Sequence, residues 1–324
     1  MSESVRTAFG TMEFGRKVNL EDAKRMVEFC FQNGCYEFDT AFMYADGKTE
    51  EIMGEIDLLK DPKVVIATKA NPWSKKGLKF DRVLEQMNTS LKRMKRDKVD
   101  IFYLHAPDHK TPIEESLKAV DQLHKEGKFK EFGLSNYAAW EVAEIYYLCK
   151  ANNYILPTLY QGMYNAVTRE VEKELLPCLR RFNMRFYAYN PLAGGILTGK
   201  FSFSDMEEKK PEGRFFGNGA WTKIYFDRFW KKEIFDTLDK VKAKLNELYG
   251  EDKVSLTDAS LRWMYHHSKL NGKHADVVIL GASNMNHMER NFDATKQGPL
   301  HEEIVKLFEE GWMQVKATCP SYNR

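Results

Sequence analysis

Apolar runs early in the chain end at polar residues able to do chemistry. Tyr36-Glu37-Phe38 stops at Asp39, with Tyr44 five residues further on. Val64-Val65-Ile66-Ala67-Thr68 stops at Lys69, and Ile101-Phe102-Tyr103-Leu104 stops at His105. Strands of one buried sheet would bring these residues together at its carboxyl edge, where α/β enzymes assemble their sites. A free phenol, with a pKa near ~10, exchanges its proton poorly at neutrality. An ammonium beside it favours the phenolate and lowers that value. A carboxylate keeps the ammonium charged and in place, and a neutral imidazole can donate a hydrogen bond to a substrate oxygen. Asp39, Tyr44, Lys69 and His105 therefore supply what carbonyl reduction needs beside a hydride source: a positioned proton donor and its support. Singly, each residue reads otherwise. Asp39-Thr40 is a strand-end turn or helix cap, Tyr44 a loop tyrosine, Lys69 a snorkelling surface lysine and His105 a core histidine. Jointly those readings weaken, because a lysine buried at a sheet edge needs a partner and Asp39 supplies one.

The elements that must position these groups are legible as eight strand-like segments. They begin at Val5, Cys35, Lys63, Asp100, Glu131, Thr158, Arg185 and Val277. Most are short continuous apolar runs, the pattern of parallel strands covered on both faces. Helical periodicity fills the intervals: from Leu20, over Phe80–Lys95, Ile113–Lys125, Trp140–Cys149, Val171–Phe182, Leu256–His267, Met285–Lys296 and His301–Val315. Eight βα units predict a closed (β/α)8 TIM barrel, a single domain over residues 1–324 with a C-terminal helical extension. An open Rossmann sheet is the alternative, but the Gly-x-Gly-x-x-Gly expected after its first strand is missing. The longest insertion, Phe201 to Gly250 after the seventh strand, is rich in aromatic residues. It is expected to cover a ligand or to decorate the packing.

A net charge of +2 gives no electrostatic reason to expect nucleic acid or an anionic membrane as partner. The basic run Lys92-Arg93-Met94-Lys95-Arg96 closes a helix pattern and reads as a solvated helix end. Cys30, Cys35, Cys149, Cys178 and Cys319 form no CxxC and no metal-ligand spacing, so no metal is expected. An odd cysteine count and an N-terminus without an apolar run favour a reducing, cytoplasmic setting.

The string Glu37-Phe38-Asp39-Thr40-Ala41…Tyr44, followed by Thr68-Lys69 and Asp100-Ile101-Phe102-Tyr103-Leu104-His105, resembles the aldo-keto reductases along nearly the whole chain. Ala70-Asn71-Pro72-Trp73, His105-Ala106-Pro107-Asp108-His109, Tyr189-Asn190-Pro191-Leu192-Ala193-Gly194-Gly195 and Gly213-Arg214-Phe215-Phe216-Gly217 resemble its aflatoxin-aldehyde reductase branch. The resemblance implies a catalytic tetrad of Asp39, Tyr44, Lys69 and His105 with Tyr44 as proton donor, and NADPH bound across the barrel mouth. Ser135, Asn136 and Gln161 match positions that hold the nicotinamide carboxamide, and Tyr189 matches the ring that stacks on the nicotinamide. Asn190, Pro191, Leu192, Ala193 and Gly194 open the loop that wraps the pyrophosphate, with Lys200 as charge partner and Arg214 as a further phosphate contact. Gly281, Ser283, His287, Arg290 and Asn291 fall on the adenosine-2'-phosphate segment, where a helix N-terminus favours an anion. His287 stands where other branches carry arginine. Arg228 and Arg324 match arginines that fix a substrate carboxylate, although surface charge is the plain reading of both. Met12, Phe14 and Trp221 are candidates to line the apolar part of the pocket.

The expected activity is NADPH-dependent reduction of aldehydes, carboxylate-bearing ones such as succinic semialdehyde included, and the branch implies a homodimer. The alternative is a cofactor-sensing accessory subunit similar to potassium-channel β-subunits. A metal-dependent barrel hydrolase lacks the necessary cluster of ligands at successive strand ends.

Overall fold

The computed structural model describes residues 4–205, 215 and 220–324. Eight parallel strands close into a barrel in chain order: β1 (Arg6–Gly10), β2 (Glu37–Asp39), β3 (Val65–Ala70), β4 (Ile101–Leu104), β5 (Glu131–Ser135), β6 (Pro157–Met163), β7 (Arg185–Tyr189) and β8 (Val277–Gly281). All eight fall on the expected segments. Closure is made by β1 against β8, in register from Arg6↔Val277 to Gly10↔Gly281. The seam from β7 to β8 is shorter, pairing Tyr187↔Val277 and Ala188↔Val278.

Strand alternation divides the apolar residues into two cores. Ala8, Ala67, Ile101, Tyr103, Leu159, Tyr187, Val277 and Ile279 fill the barrel. Phe9, Phe38, Ile66, Phe102, Phe132, Tyr160 and Phe186 face the surrounding helices. That same two-residue period turns Asp39 and Lys69 inward, because Phe38 on β2 faces the helices and Ala67 on β3 faces the barrel.

The helices follow from local signals. Over Leu20–Gln32 the side chain of Asn19 accepts from Asp22 N, Glu21 and Asp22 occupy the first turn, and Ala23, Met26, Val27 and Cys30 form the buried stripe. Two expectations are corrected. The helix expected over Val171–Phe182 is a 3-10 turn at Glu170–Glu172 followed by a shorter helix, Leu175–Arg181. Pro177 has no N–H to give the carbonyl of Lys173, so the helix restarts with the proline in its first turn. Nor is the basic run a purely solvated end. Arg93 Nη1 donates to Phe42 O at 2.9 Å and to Glu50 Oε2 at 3.0 Å, and Arg96 Nη1 donates to Leu59 O at 2.5 Å.

The described part of the insertion includes helices at Ala220–Phe229 and Lys232–Tyr249. It carries its own aromatic core, with Phe201–Phe215 ring centres 5.5 Å apart, Phe215–Trp230 5.5 Å and Trp230–Phe235 5.0 Å. On the opposite edge of the barrel, the turns that lead into β2 and β5 pass through Gly34 and Gly127 at φ +69° and +72°, with open space where a Cβ would stand. Among the described residues no helix is long and apolar enough to cross a membrane.

Candidate active site

The floor of the barrel mouth is an ion pair. Lys69 is wholly buried. Its Nζ donates to Asp39 Oδ1 and to the carbonyl of Thr40, both at 2.6 Å. Asp39 Oδ2 accepts in turn from Gln161 Nε2 at 2.8 Å, so both carboxylate oxygens are held. Burial pulls the Lys69 ammonium below its ordinary pKa, while Asp39 first, then Glu50 and Tyr189, oppose that pull. Nζ lies 5.3 Å from the ring centre of Tyr44 and 5.6 Å from that of Tyr103. Lys69 sits within β3, which runs on through Ala70 rather than stopping at the lysine.

Tyr44 is carried by a loop fastened at every step. Thr40 N donates to Ala67 O at 2.8 Å, Phe42 N to Lys69 O at 3.2 Å and Tyr44 N to Ala41 O at 3.1 Å. After Tyr44 the backbone is left-handed at Ala45, Asp46 and Gly47, with φ +47°, +53° and +94°, before the helix Lys48–Gly54. The Arg93 guanidinium closes the loop from outside. Its Cζ stands 4.5 Å from the Phe42 ring centre, where a cation gains from the π-face. Glu50, fully buried, accepts from Arg93 and, through Oε1, from Thr68 Oγ1 at 2.7 Å. A Cβ at Gly47 would fall 2.3 Å from Arg93 Cζ, so glycine is required there by its φ and by the brace.

His105 follows β4. Its ring centre is 5.9 Å from that of Tyr44 and 5.0 Å from that of Trp73. Burial, then the charges of Lys69 and Arg324, hold its pKa well below the ordinary imidazole value, which keeps the ring neutral near pH 7. The four residues expected to act together therefore share one edge of the barrel.

The expected cofactor positions surround that edge. Ser135 ends β5, and Asn136 just after it, at φ +63°, is a hub. Its Nδ2 donates to His105 O at 2.9 Å and to Ser135 Oγ at 3.0 Å, and its Oδ1 accepts from Tyr189 Oη at 2.8 Å. Past β7, Asn190, Ala193, Gly194 and Gly195 are all left-handed, and Asn190 Oδ1 accepts from Gly194 N at 2.6 Å. Pro191 is buried and Leu192 half-buried in this turn. Gly281 ends β8, and its carbonyl accepts from Asn291 Nδ2 at 3.1 Å. The helix Met285–Thr295 is capped by Asn284, which accepts from His287 N at 2.9 Å, and Ser283 Oγ lies 3.1 Å from His287 Nδ1. Burial, then Lys200, Arg290 and Lys17, lower the His287 pKa, so four basic side chains converge there. Asn190 Nδ2 and His105 Nδ1 are buried without a hydrogen-bond partner. The basic side chains and unpartnered buried donors of this edge fit a phosphorylated dinucleotide. Arg214 lies outside the described residues, and Trp221 lies on the helix Ala220–Phe229.

Beyond the ion pair stand Arg228 and Arg324. Arg228 is partly buried, its pKa is lowered first by burial and also by the charge of Arg324, and its Nε is buried without a partner. Arg324 stands over Trp73, Cζ 5.5 Å from the ring centre. Both Arg228 Nη atoms lie 3.4 Å from Ser321 O, three residues before Arg324. Met12 is half-buried in the loop after β1. Phe14 does not line the mouth as expected: 1% exposed, it packs against Phe9, 6.0 Å between ring centres, in the layer beneath the helices.

Residue patterns did not reveal the Gln161–Asp39 bond, the Glu50–Arg93 brace or the role of Thr40 O. Gln161 is 122 positions from Asp39 and Arg93 is 43 from Glu50, separations with no local signature. Among the described residues, no three His, Cys, Asp or Glu side chains are grouped to hold a metal ion.

The description "Aldo/keto reductase family" belongs to the sequence family that matches residues 6–312. The chain is 55% identical over 321 residues to aflatoxin B1 aldehyde reductase member 2 of Rattus norvegicus, covering 98% of this chain and 87% of that one. It is 52% identical over 319 residues to aflatoxin B1 aldehyde reductase member 4 of Homo sapiens, covering 98% and 96%. Identity to human aldo-keto reductase family 7 member A3 is 51% over 321 residues, covering 98% and 97%.

Proposed function

The chain belongs to the aldo/keto reductase family, and from that membership we propose that it reduces aldehydes to alcohols with NADPH, Tyr44 giving the proton. The observation that carries this reading is the buried Lys69 ammonium, bonded to Asp39 at 2.6 Å and set 5.3 Å from the Tyr44 ring.

NADPH, when bound, supplies the hydride. The chain's own residues do the rest. The substrate oxygen sits between Tyr44 and His105. Neutral His105 donates a hydrogen bond that orients the carbonyl without competing as an acid. As charge builds on the oxygen, Tyr44 Oη hands over its proton, and the Lys69 ammonium stabilises the phenolate left behind. Asp39 and Thr40 O keep Lys69 aimed, and Gln161 keeps Asp39 from rotating. Ser135, Asn136 and Tyr189 are assigned to the nicotinamide end, and the left-handed turn at Asn190–Gly195 with Lys200 to the pyrophosphate. Ser283, His287 and Arg290 are assigned to the 2'-phosphate, with Gly281 and Asn291 fixing the segment that carries them. Arg228 and Arg324 receive a substrate carboxylate, which makes short aldehydes with an anionic far end, such as succinic semialdehyde, the proposed substrate class.

The test is NADPH oxidation with succinic semialdehyde, wild type beside Tyr44→Phe. The variant is expected to lose about 10²–10⁴ in kcat while binding NADPH normally. Wild-type turnover in a folded Tyr44→Phe protein removes Tyr44 as donor. Tight NADPH binding by the wild type without turnover on any aldehyde points instead to a cofactor-sensing accessory subunit.

A further inference from the structure

The segment after the helix Glu302–Val315 returns to the barrel mouth, and Tyr322 is one of the side chains that hold it there. Tyr322 is 9% exposed. Its hydroxyl accepts from Ala139 N at 2.9 Å and donates to Glu174 Oε1 at 2.6 Å. Ala139 opens the helix Ala139–Ala151, and Ala138 before it has no side-chain oxygen to cap it, so the Tyr322 hydroxyl takes an N–H that the helix cannot satisfy itself. Glu174 precedes the helix Leu175–Arg181. Tyr322 thus ties the segment to two helices at once. Two residues on, Arg324 N donates to Asn136 O at 3.0 Å, which leaves its guanidinium over Trp73 beside His105. Upstream, Lys231 Nζ donates to Thr318 O, and both Arg228 Nη atoms lie 3.4 Å from Ser321 O.

We propose that Tyr322 is a positioning residue for substrate selection: its bonds to Ala139 and Glu174 hold Arg324 beside Arg228, so that the pair receives the carboxylate of an anionic aldehyde. The proposal rests on the carboxylate reading of the two arginines given above. An arginine carries several rotatable bonds, and anchoring the backbone at Tyr322 and at Arg324 N fixes where that side chain starts, so less freedom is lost on meeting substrate. Tyr322 itself touches neither substrate nor cofactor.

The test compares succinic semialdehyde with butanal, an uncharged aldehyde of equal chain length, at saturating NADPH in wild type, Tyr322→Phe, Glu174→Gln and Arg324→Gln. Arg324→Gln is expected to raise KM for the anionic substrate by about tenfold or more relative to KM for butanal. Tyr322→Phe, which keeps the ring and loses both hydrogen bonds, is expected to raise the same KM about three- to tenfold with kcat for butanal and NADPH Kd unchanged. Glu174→Gln keeps an acceptor for the hydroxyl and is expected to behave as wild type. If Arg324→Gln is selective and Tyr322→Phe is not, the latch is wrong and the carboxylate reading stands. If Arg324→Gln leaves the ratio of the two substrates unchanged, the carboxylate reading falls and the latch with it. Equal loss on both aldehydes in Tyr322→Phe reveals a general structural role and overturns the proposal.

Discussion

At the scale of single residues, the site is a set of charges whose states are fixed by burial and by neighbours. His105 is kept neutral by its recess and by the cations beyond it, so kcat is not expected to fall on its account between about pH 8 and 6. A His105→Gln variant, still neutral and still a donor, is expected to keep the same pH profile with a lower rate. His287 behaves differently because it faces the proposed 2'-phosphate. Burial, Lys200, Arg290 and Lys17 depress its pKa in the free protein, and a phosphate seated beside it would favour the cation. Binding then takes up a proton wherever the pH lies between the free and bound pKa values, so NADPH affinity falls as pH rises through that window. Above the second ionisation of a phosphate monoester near about 6, Kd for NADPH is expected to rise with pH until the bound imidazole is neutral. Fluorescence titration should show a flat profile for NADH and a flattened one for His287→Gln. An unchanged slope in that variant means another group carries the proton.

At the scale of elements, the helix Lys48–Gly54 and the end of the helix Phe80–Met94 brace the loop that presents Tyr44. Glu50 is buried between Thr68 and Arg93, so removing its partner strands a charge away from water. Arg93→Ala is expected to cost about 3–5 kcal/mol of stability, read by denaturant melting, and to lower kcat of the folded fraction while KM for neutral aldehydes changes little. A variant that melts earlier but turns over at the wild-type rate limits the brace to stability. This contrast also marks what was legible in the amino-acid order. The strands could be read as short apolar runs, and Asp39, Lys69 and His105 as polar residues at or beside their ends with Tyr44 five positions after Asp39, signals contained within a few positions. The brace could not, since Arg93 sits inside a basic run that reads as solvated until its partner, 43 positions earlier, is known. Tyr322 was hidden for the same reason, its partners standing 148 and 183 positions away. Pro177 was a visible signal, and it shortened the helix that apolar periodicity alone extended to Val171.

At the scale of the whole molecule, the two edges of the barrel divide the work, as is general for this architecture. The carboxyl edge carries the ion pair, the cationic rim proposed for the dinucleotide and the two arginines. The other edge carries closure. Asp276, whose side chain is fully buried, lies just before β8. It accepts from Arg180 Nη1, Phe186 N and Asn271 N, each at 2.9 Å, and so staples the short seam between β7 and β8. Asp276→Ala is expected to destabilise the protein by about 3–5 kcal/mol and to leave KM for substrate and Kd for NADPH as they were. A changed KM in the folded variant contradicts that division.

The turns at Gly34 and Gly127 open to water on the edge away from the mouth. A short linker inserted beside either one would fix the protein to a bead or an electrode with its reactive face outward. Freely diffusing coenzyme could then be regenerated above a monolayer of uniformly oriented catalyst. A tether at residue 324 would instead lie across the entrance, so the choice of attachment point decides whether such a surface works.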